Sequence, residues 1–269
     1  MDSAPYQLYL RGMCLVLLAL RAHEELPLIV LANRDEFRAR PTAPAAFWSD
    51  APDARQVFAG RDLEKLGTWF GVTRGGRFGA VTNVRDPASK REGRSRGLLV
   101  RDWLASDAAP EEFASTLDGA EYPGFNAIVG RGLDLAYLRD DRRGVERIAD
   151  GLHGLSNARI DVFWPKVENG LRKLHAILER PMTPNAEPFF EILADRSLAD
   201  DAMLPETGVP IEWERRLSAA HITGDEYGTR ASTVLLVHRS GTAYVEERGF
   251  DANGLLGTTS ATIQWPNQT

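Results

Sequence analysis

The chain has 269 residues, 43% apolar and 26% charged, a balance that suits a soluble globular fold with a substantial core. Lysine and arginine number 32 against 38 acidic residues, a net charge of −6, which argues against a dedicated nucleic-acid binder. One cysteine excludes an internal disulfide framework or a cysteine-rich zinc site, and no apolar run reaches the roughly 20 residues of a membrane-spanning helix, so a cytoplasmic protein without a membrane span is expected.

Met13 to Leu20 is an apolar run with the length of a signal-peptide core, but its flanks lack a basic leader and a small-x-small cleavage step. A second run, Pro27 to Ala32, follows the polar step His23-Glu-Glu25, and the two predict a hairpin of buried strands. Arg40 to Ala46 is expected to be loop because of its prolines. Gly75-Gly76 between Thr68–Thr73 and Arg77–Asn83 predicts another hairpin. Arg85 to Arg96 reads as a charged, solvated loop that could also guide an anionic ligand.

Helical spacing appears in Leu98 to Leu104 and after Pro110 in Glu111 to Leu117. A hairpin is expected from Phe125–Gly130 and Leu133–Leu138. Helices follow from Trp164 to Leu178 and from Glu187 to Ala194. Pro205 to Thr229 reads as loop with one helical turn, before a last hairpin of Ser232–His238 and Ala243–Gly249. No repeat or long linker divides the chain, so a single α+β domain over residues 13–269 is expected, with residues 1–12 as an extension.

Cys14 directly follows Met13. If translation starts at Met13 and that residue is removed, Cys14 becomes the first residue, with a thiol and a free α-amine. The amine's ordinary pKa of about 7.7–8.0 leaves it partly neutral near physiological pH, so it can accept the thiol proton, as the terminal amine does for threonine nucleophiles. The competing reading is a small apolar side chain packed in a strand. The five histidines show no paired ligand spacing, so no metal site is expected.

Several motifs run in a recognisable order: Cys14, Asn33-Arg-Asp-Glu36, Gly67-Thr-Trp-Phe-Gly71, Thr82-Asn-Val-Arg-Asp-Pro87, Ser95-Arg-Gly97, Gly124-Phe-Asn126, Leu155-Ser-Asn157 and Trp164-Pro165. Together they resemble the NRDE family, also called the transport and Golgi organisation protein 2 family, over nearly all of Met13 to Phe250. The resemblance implies the four-layer αββα sandwich of N-terminal-nucleophile hydrolases. It brings no settled substrate, and some members are linked to haem or lipid handling. Two functions follow as expectations. One is an amidohydrolase without a cofactor, cleaving the C–N bond of a small-molecule amide; the other is a non-catalytic carrier of haem or a lipid such as an acyl-CoA.

A more distant resemblance, to the cysteine acylases of that fold, implies site residues Cys14, Arg34, Asp35, Asn83, Asn157 and Arg230. Asp35 would hold the α-amine, Arg34 would lower the thiol pKa, and Asn83 or Asn157 would offer an oxyanion-hole N–H. Neighbours in an extended strand point to opposite faces, so Arg34 and Asp35 both reach Cys14 only if the chain bends there. The alternative for Asn33 to Glu36 is a strand-end network of ions and hydrogen bonds. Under the carrier reading His153 is a candidate axial haem ligand, against an ordinary hydrogen-bonded histidine.

Overall fold

In the strand Met13–Leu20 (β1), alternate side chains enter two different cores: Leu15, Leu17 and Ala19 pack beneath helices, while Val16, Leu18 and Leu20 pack against a second sheet. Leu28–Phe37 (β2) repeats the pattern with Ile29 and Leu31 on one side and Leu28, Val30 and Ala32 on the other. A strand covered on both faces has no polar side, which is why these segments read as unbroken apolar runs. Each fully buried leucine stabilises the fold by about 1.5–3 kcal/mol.

The structure, a computed structural model, describes residues 13–50, 56–86, 92–140, 145–181 and 185–266. The expected extension at 1–12 lies outside these residues, as do Lys90 and Arg91 of the charged loop. The next strands are Thr42–Phe47 (β3), Val57–Asp62 (β4), Phe70–Thr73 (β5) and Arg77–Asn83 (β6), followed by helices Arg96–Ala105 (α1) and Pro110–Thr116 (α2). Phe125–Arg131 (β7), Asp134–Arg139 (β8), Glu146–Arg147 (β9) and Gly151–Leu155 (β10) come next, then helices Pro165–Leu178 (α3), Glu187–Leu193 (α4) and Ile211–Leu217 (α5). The last strands are Tyr227–Val237 (β11), Thr242–Asp251 (β12) and Gly254–Gln264 (β13).

One sheet has the order β10-β1-β2-β11-β12-β13 and the other β3-β4-β5-β6-β7-β8-β9, every described pairing being antiparallel. Val16, Val30, Phe70, Phe78 and Ile128 belong to the core between the sheets. Val167, Leu171 and Phe189 of α3 and α4 cover the outer face of the first sheet, and Leu99, Trp103 and Leu104 of α1 cover that of the second. The result is the expected α+β, four-layer αββα sandwich.

Several expectations are corrected. The proline-rich stretch after Arg40 forms β3 rather than loop. Pro44 is accommodated because β3 is an edge strand whose pairing with β4 shifts between Ala43 and Ala46. Tyr227 to Thr229, expected to be loop, begins β11. Strands β4, β9, β10 and β13 carry no strong local pattern and are held by their neighbours. The start of α1 approaches the chain before β5 very closely: a Cβ on Gly67 would stand 2.3 Å from the Gly97 carbonyl carbon, so only glycine fits there.

Candidate functional site

Antiparallel pairing sets Cys14 opposite Arg34 and Met13 opposite Asp35. The chain does not bend enough to bring Arg34 and Asp35 to one face. Arg34 points between the sheets, its guanidinium 4.4 Å from the Trp69 ring centroid and Nη2 3.8 Å from Glu36 Oε2. Its Nη1 donates to Thr42 Oγ1 at 3.4 Å. Glu247 of β12 is buried nearby and accepts the Ala45 N–H at 2.7 Å. Burial pushes the Glu247 carboxyl up to about 7, against the opposing pull of that N–H and of Arg34.

Asp35 points the other way, toward the helices. Its Oδ1 accepts the Thr229 hydroxyl at 2.6 Å, while Oδ2 has no hydrogen-bond partner among the described residues. Lys166, in the first turn of α3, brings its Nζ to 4.0 Å from that oxygen, both side chains being essentially inaccessible. Burial raises the Asp35 carboxyl to about 6 and lowers the Lys166 ammonium to about 8. Asn33 is structural: its Nδ2 donates to the carbonyls of Leu193 and Ala220 at 2.8 and 2.7 Å. With Glu36 close to both Arg34 and Arg40, the network expected for Asn33 to Glu36 is present.

Ser156 and Asn157 continue β10 alongside β1. The Ser156 hydroxyl donates to the Cys14 carbonyl at 3.0 Å. Asn157 Nδ2 donates to Asn83 Oδ1 and to the Asn83 carbonyl, at 2.5 and 3.2 Å. Thr82 Oγ1 donates to the Ser156 carbonyl at 2.6 Å, so β6 of one sheet is fastened to the end of β10 in the other. Cys14, Arg34, Asp35, Asn83 and Asn157 are therefore gathered at one end of the sandwich. Arg230 has a different task. β11 shifts register between Thr229 and Ala231, and Arg230 Nη1 donates to the carbonyls of Phe37, Arg38 and Arg40 at 3.0, 3.2 and 3.1 Å. It clamps the turn from β2 to β3.

With the chain continuing through Met13, the Cys14 nitrogen is an amide and the thiol is buried. Burial first, and then the Asp35 charge, push the thiol up to about 12; the Asp35 N–H, Arg34 and Lys166 oppose this without overcoming it. A thiol so protonated is inert. The lowering expected from Arg34 is present but outweighed. His153 has both ring nitrogens engaged, Nδ1 with Asp161 Oδ2 at 2.8 Å and Nε2 with the Ala149 carbonyl at 2.9 Å. The hydrogen bond to Asp161 raises the ring above its ordinary pKa, partly offset by burial.

The charged loop is corrected in part. Arg85 is buried, with Nη1 donating to Glu214 Oε2 at 2.6 Å and its guanidinium 4.6 Å from the Trp164 ring. Arg96 donates to the Gly124 carbonyl at 2.8 Å and lies within electrostatic reach of Cys14 and Glu36.

The family model for Transport and Golgi organisation 2 matches residues 13–252. The chain belongs to that family. A bovine relative, "Transport and Golgi organization protein 2 homolog" from Bos taurus, is 33% identical over 241 residues, covering 82% of this chain and 86% of its own. The Drosophila melanogaster "Transport and Golgi organization protein 2" is 28% identical over 258 residues, covering 84% and 88%. A solved structure of the Caenorhabditis elegans N-acylethanolamine-hydrolyzing acid amidase ortholog aligns with a TM-score of 0.48 at 12% identity, over 83% of this chain and 92% of that one. A likeness at that level carries nothing about chemistry.

In this family member, reading the sequence missed Lys166, Thr229, Glu214 and Glu247 as parts of the buried polar cluster. Only Lys166 had a local signal. It follows Trp164-Pro165 at a helix start, where a buried cation is unexpected. The others come from segments distant in sequence, and only strand pairing brings them in.

Proposed function

We propose that the chain is an N-terminal cysteine amidohydrolase, silent until Cys14 becomes its first residue. One observation carries the reading. Asp35, fully buried with Oδ2 making no hydrogen bond among the described residues, lies in register with Met13. Removing the chain through Met13 would therefore create an α-amine beside the Asp35 carboxylate.

The reaction then balances with this chain's own groups. The Cys14 sulfur attacks the amide carbonyl as its proton passes to the neutral α-amine, and Asn83 stabilises the oxyanion. The C–N bond breaks as the α-ammonium returns the proton to the leaving amine. Water adds to the resulting thioester with the same amine as base, releasing the acid and restoring the thiol. Asn157 Nδ2 donates to the Asn83 carbonyl and to Asn83 Oδ1, so Asn157 would hold Asn83 in place. A free nucleophilic thiol persists best in a reducing compartment, which favours a cytoplasmic site of action.

The test uses protein released from an N-terminal fusion so that it starts at Cys14, mixed with short- and long-chain N-acyl aminocoumarin amides. Coumarin release with a mass increase of one acyl group on Cys14 is expected, and Cys14→Ala should abolish both. Release at an undiminished rate from Cys14→Ala, or no release and no adduct across the series, would overturn the proposal. In the latter case saturable haem or acyl-CoA binding would favour a carrier of the same fold.

A further inference from the structure

The reaction above gives no role to Lys166, whose placement is physically costly. It stands in the first turn of α3, just after Pro165, where the positive end of the helix dipole disfavours a cation. Its side chain is 1% exposed and Nζ makes no hydrogen bond among the described residues. The Arg85 guanidinium is a second cation within electrostatic reach. An apolar side chain would be better tolerated on all three counts, so a lysine here points to a need for charge.

The groups facing Lys166 define that need. They are Asp35 from β2, Cys14 from β1, Arg85 after β6 and Glu214 from α5. Arg85 and Glu214 neutralise each other at 2.6 Å. Asp35 accepts the Thr229 hydroxyl, and the charges of Arg34 and Arg38 and the buried Tyr227 hydroxyl lie within electrostatic reach of it. Among the described residues Lys166 is the cation in ion-pair range of Asp35. Without Lys166, the carboxylate would hold a new α-amine as ammonium, which has no lone pair for the thiol proton. With Lys166 present, protonating the amine would set two cations against one buried carboxylate.

We propose that Lys166 is a positioning residue for the nucleophile, its buried ammonium keeping the α-amine of an N-terminal Cys14 in the neutral, proton-accepting form. The inference rests on the amidohydrolase reading, since only that reading needs the amine as a base. Burial places the Asp35 transition at about 6 and that of Lys166 at about 8, so the pair is ionised across the neutral range in which the base must work.

Cys14 is the only cysteine, so 13C,15N-cysteine labelling of the protein starting at Cys14 gives one residue whose amine and thiol titrations are read separately by NMR. The wild-type amine should titrate below its ordinary value of about 7.7–8.0. Lys166→Met should raise that midpoint by about one pH unit or more, Lys166→Arg should restore it, and Asp35→Asn should lower it. A Lys166→Met midpoint within about 0.3 pH unit of wild type, with near-ultraviolet dichroism unchanged, would overturn the inference. If that variant does not fold, an Asp35→Asn midpoint at or above wild type overturns it instead. Aminocoumarin release followed in parallel separates the two ideas. Release without the shifts removes the role of Lys166 alone, and the shifts without release remove the hydrolase.

Discussion

Asn157 donates both hydrogens of its side-chain amide to Asn83, joining the end of β10 in one sheet to the end of β6 in the other. The Asn157 oxygen accepts from Ser156 Oγ at 3.1 Å and from Arg85 Nη2 at 3.4 Å. This side chain therefore holds together three segments that surround Cys14. Asn157→Ala leaves buried donors and acceptors unpaired and should cost about 2–4 kcal/mol of stability, measured as a lowered urea midpoint. A loss under about 0.5 kcal/mol would mean the bridge is not maintained in solution.

The Arg85–Glu214 pair joins the chain after β6 to α5 with side chains 1% and 3% exposed. Glu214→Leu strands a guanidinium in the interior and should destabilise by about 3–5 kcal/mol. The double variant Arg85→Met with Glu214→Leu should recover most of that loss. Equal losses in the single and double variants would place the cost elsewhere than in the uncompensated charge.

Glu247 makes the fold lose stability as pH rises from acid to neutral. Its folded pKa of about 7 lies above its ordinary value because burial disfavours the anion. Its contribution is therefore full below about pH 4.5 and lost as pH rises through about 7. Glu247→Gln keeps an acceptor for the Ala45 N–H without the charge. It should stabilise the protein by about 3 kcal/mol at pH 8 relative to its effect at pH 4, in urea melts at both values. A uniform effect across that range would show that Glu247 does not titrate on unfolding.

His153 and Asp161 shift in opposite directions. The histidine is raised and the aspartate lowered, each by hydrogen bonding to the other, partly offset by burial. Stability from the histidine is full below its ordinary value of about 6.5 and fades as pH rises through its folded value. Stability from the aspartate is present above about 3.8 and fades as pH falls through its folded value. His153→Asn should therefore lower the melting temperature most between about pH 4 and 6.5. A loss of the same size at pH 9 would indicate packing rather than charge.

Thiol labelling should separate the two forms of the amino terminus. With residues 1–13 attached, the Cys14 thiol at about 12 should react with iodoacetamide at pH 7 only through opening of the fold. The protein starting at Cys14 should label at least about 100-fold faster. Equal rates, followed by intact mass, would show that the preceding chain does not control the nucleophile.

The sequence by itself determined the buried strands and the α+β character, and the family resemblance it carries implied the layered sandwich. The unbroken apolar runs Met13–Leu20 and Pro27–Ala32 can be buried only if both faces of the sheet are covered, and the order of motifs from Cys14 to Trp164-Pro165 carried the family resemblance. Strand alternation also predicted opposite faces for Arg34 and Asp35 unless the chain bends, and the absence of such a bend was decided by the fold. Tertiary structure alone decided which polar groups meet. Lys166 opposes Asp35, Arg85 finds Glu214, and Arg230 turns away to clamp the Phe37–Arg40 turn. The physical reason is one of range. Periodicity records the environment of each face residue by residue, whereas a buried charge finds its partner only after pairing and helix packing have joined segments far apart in the chain.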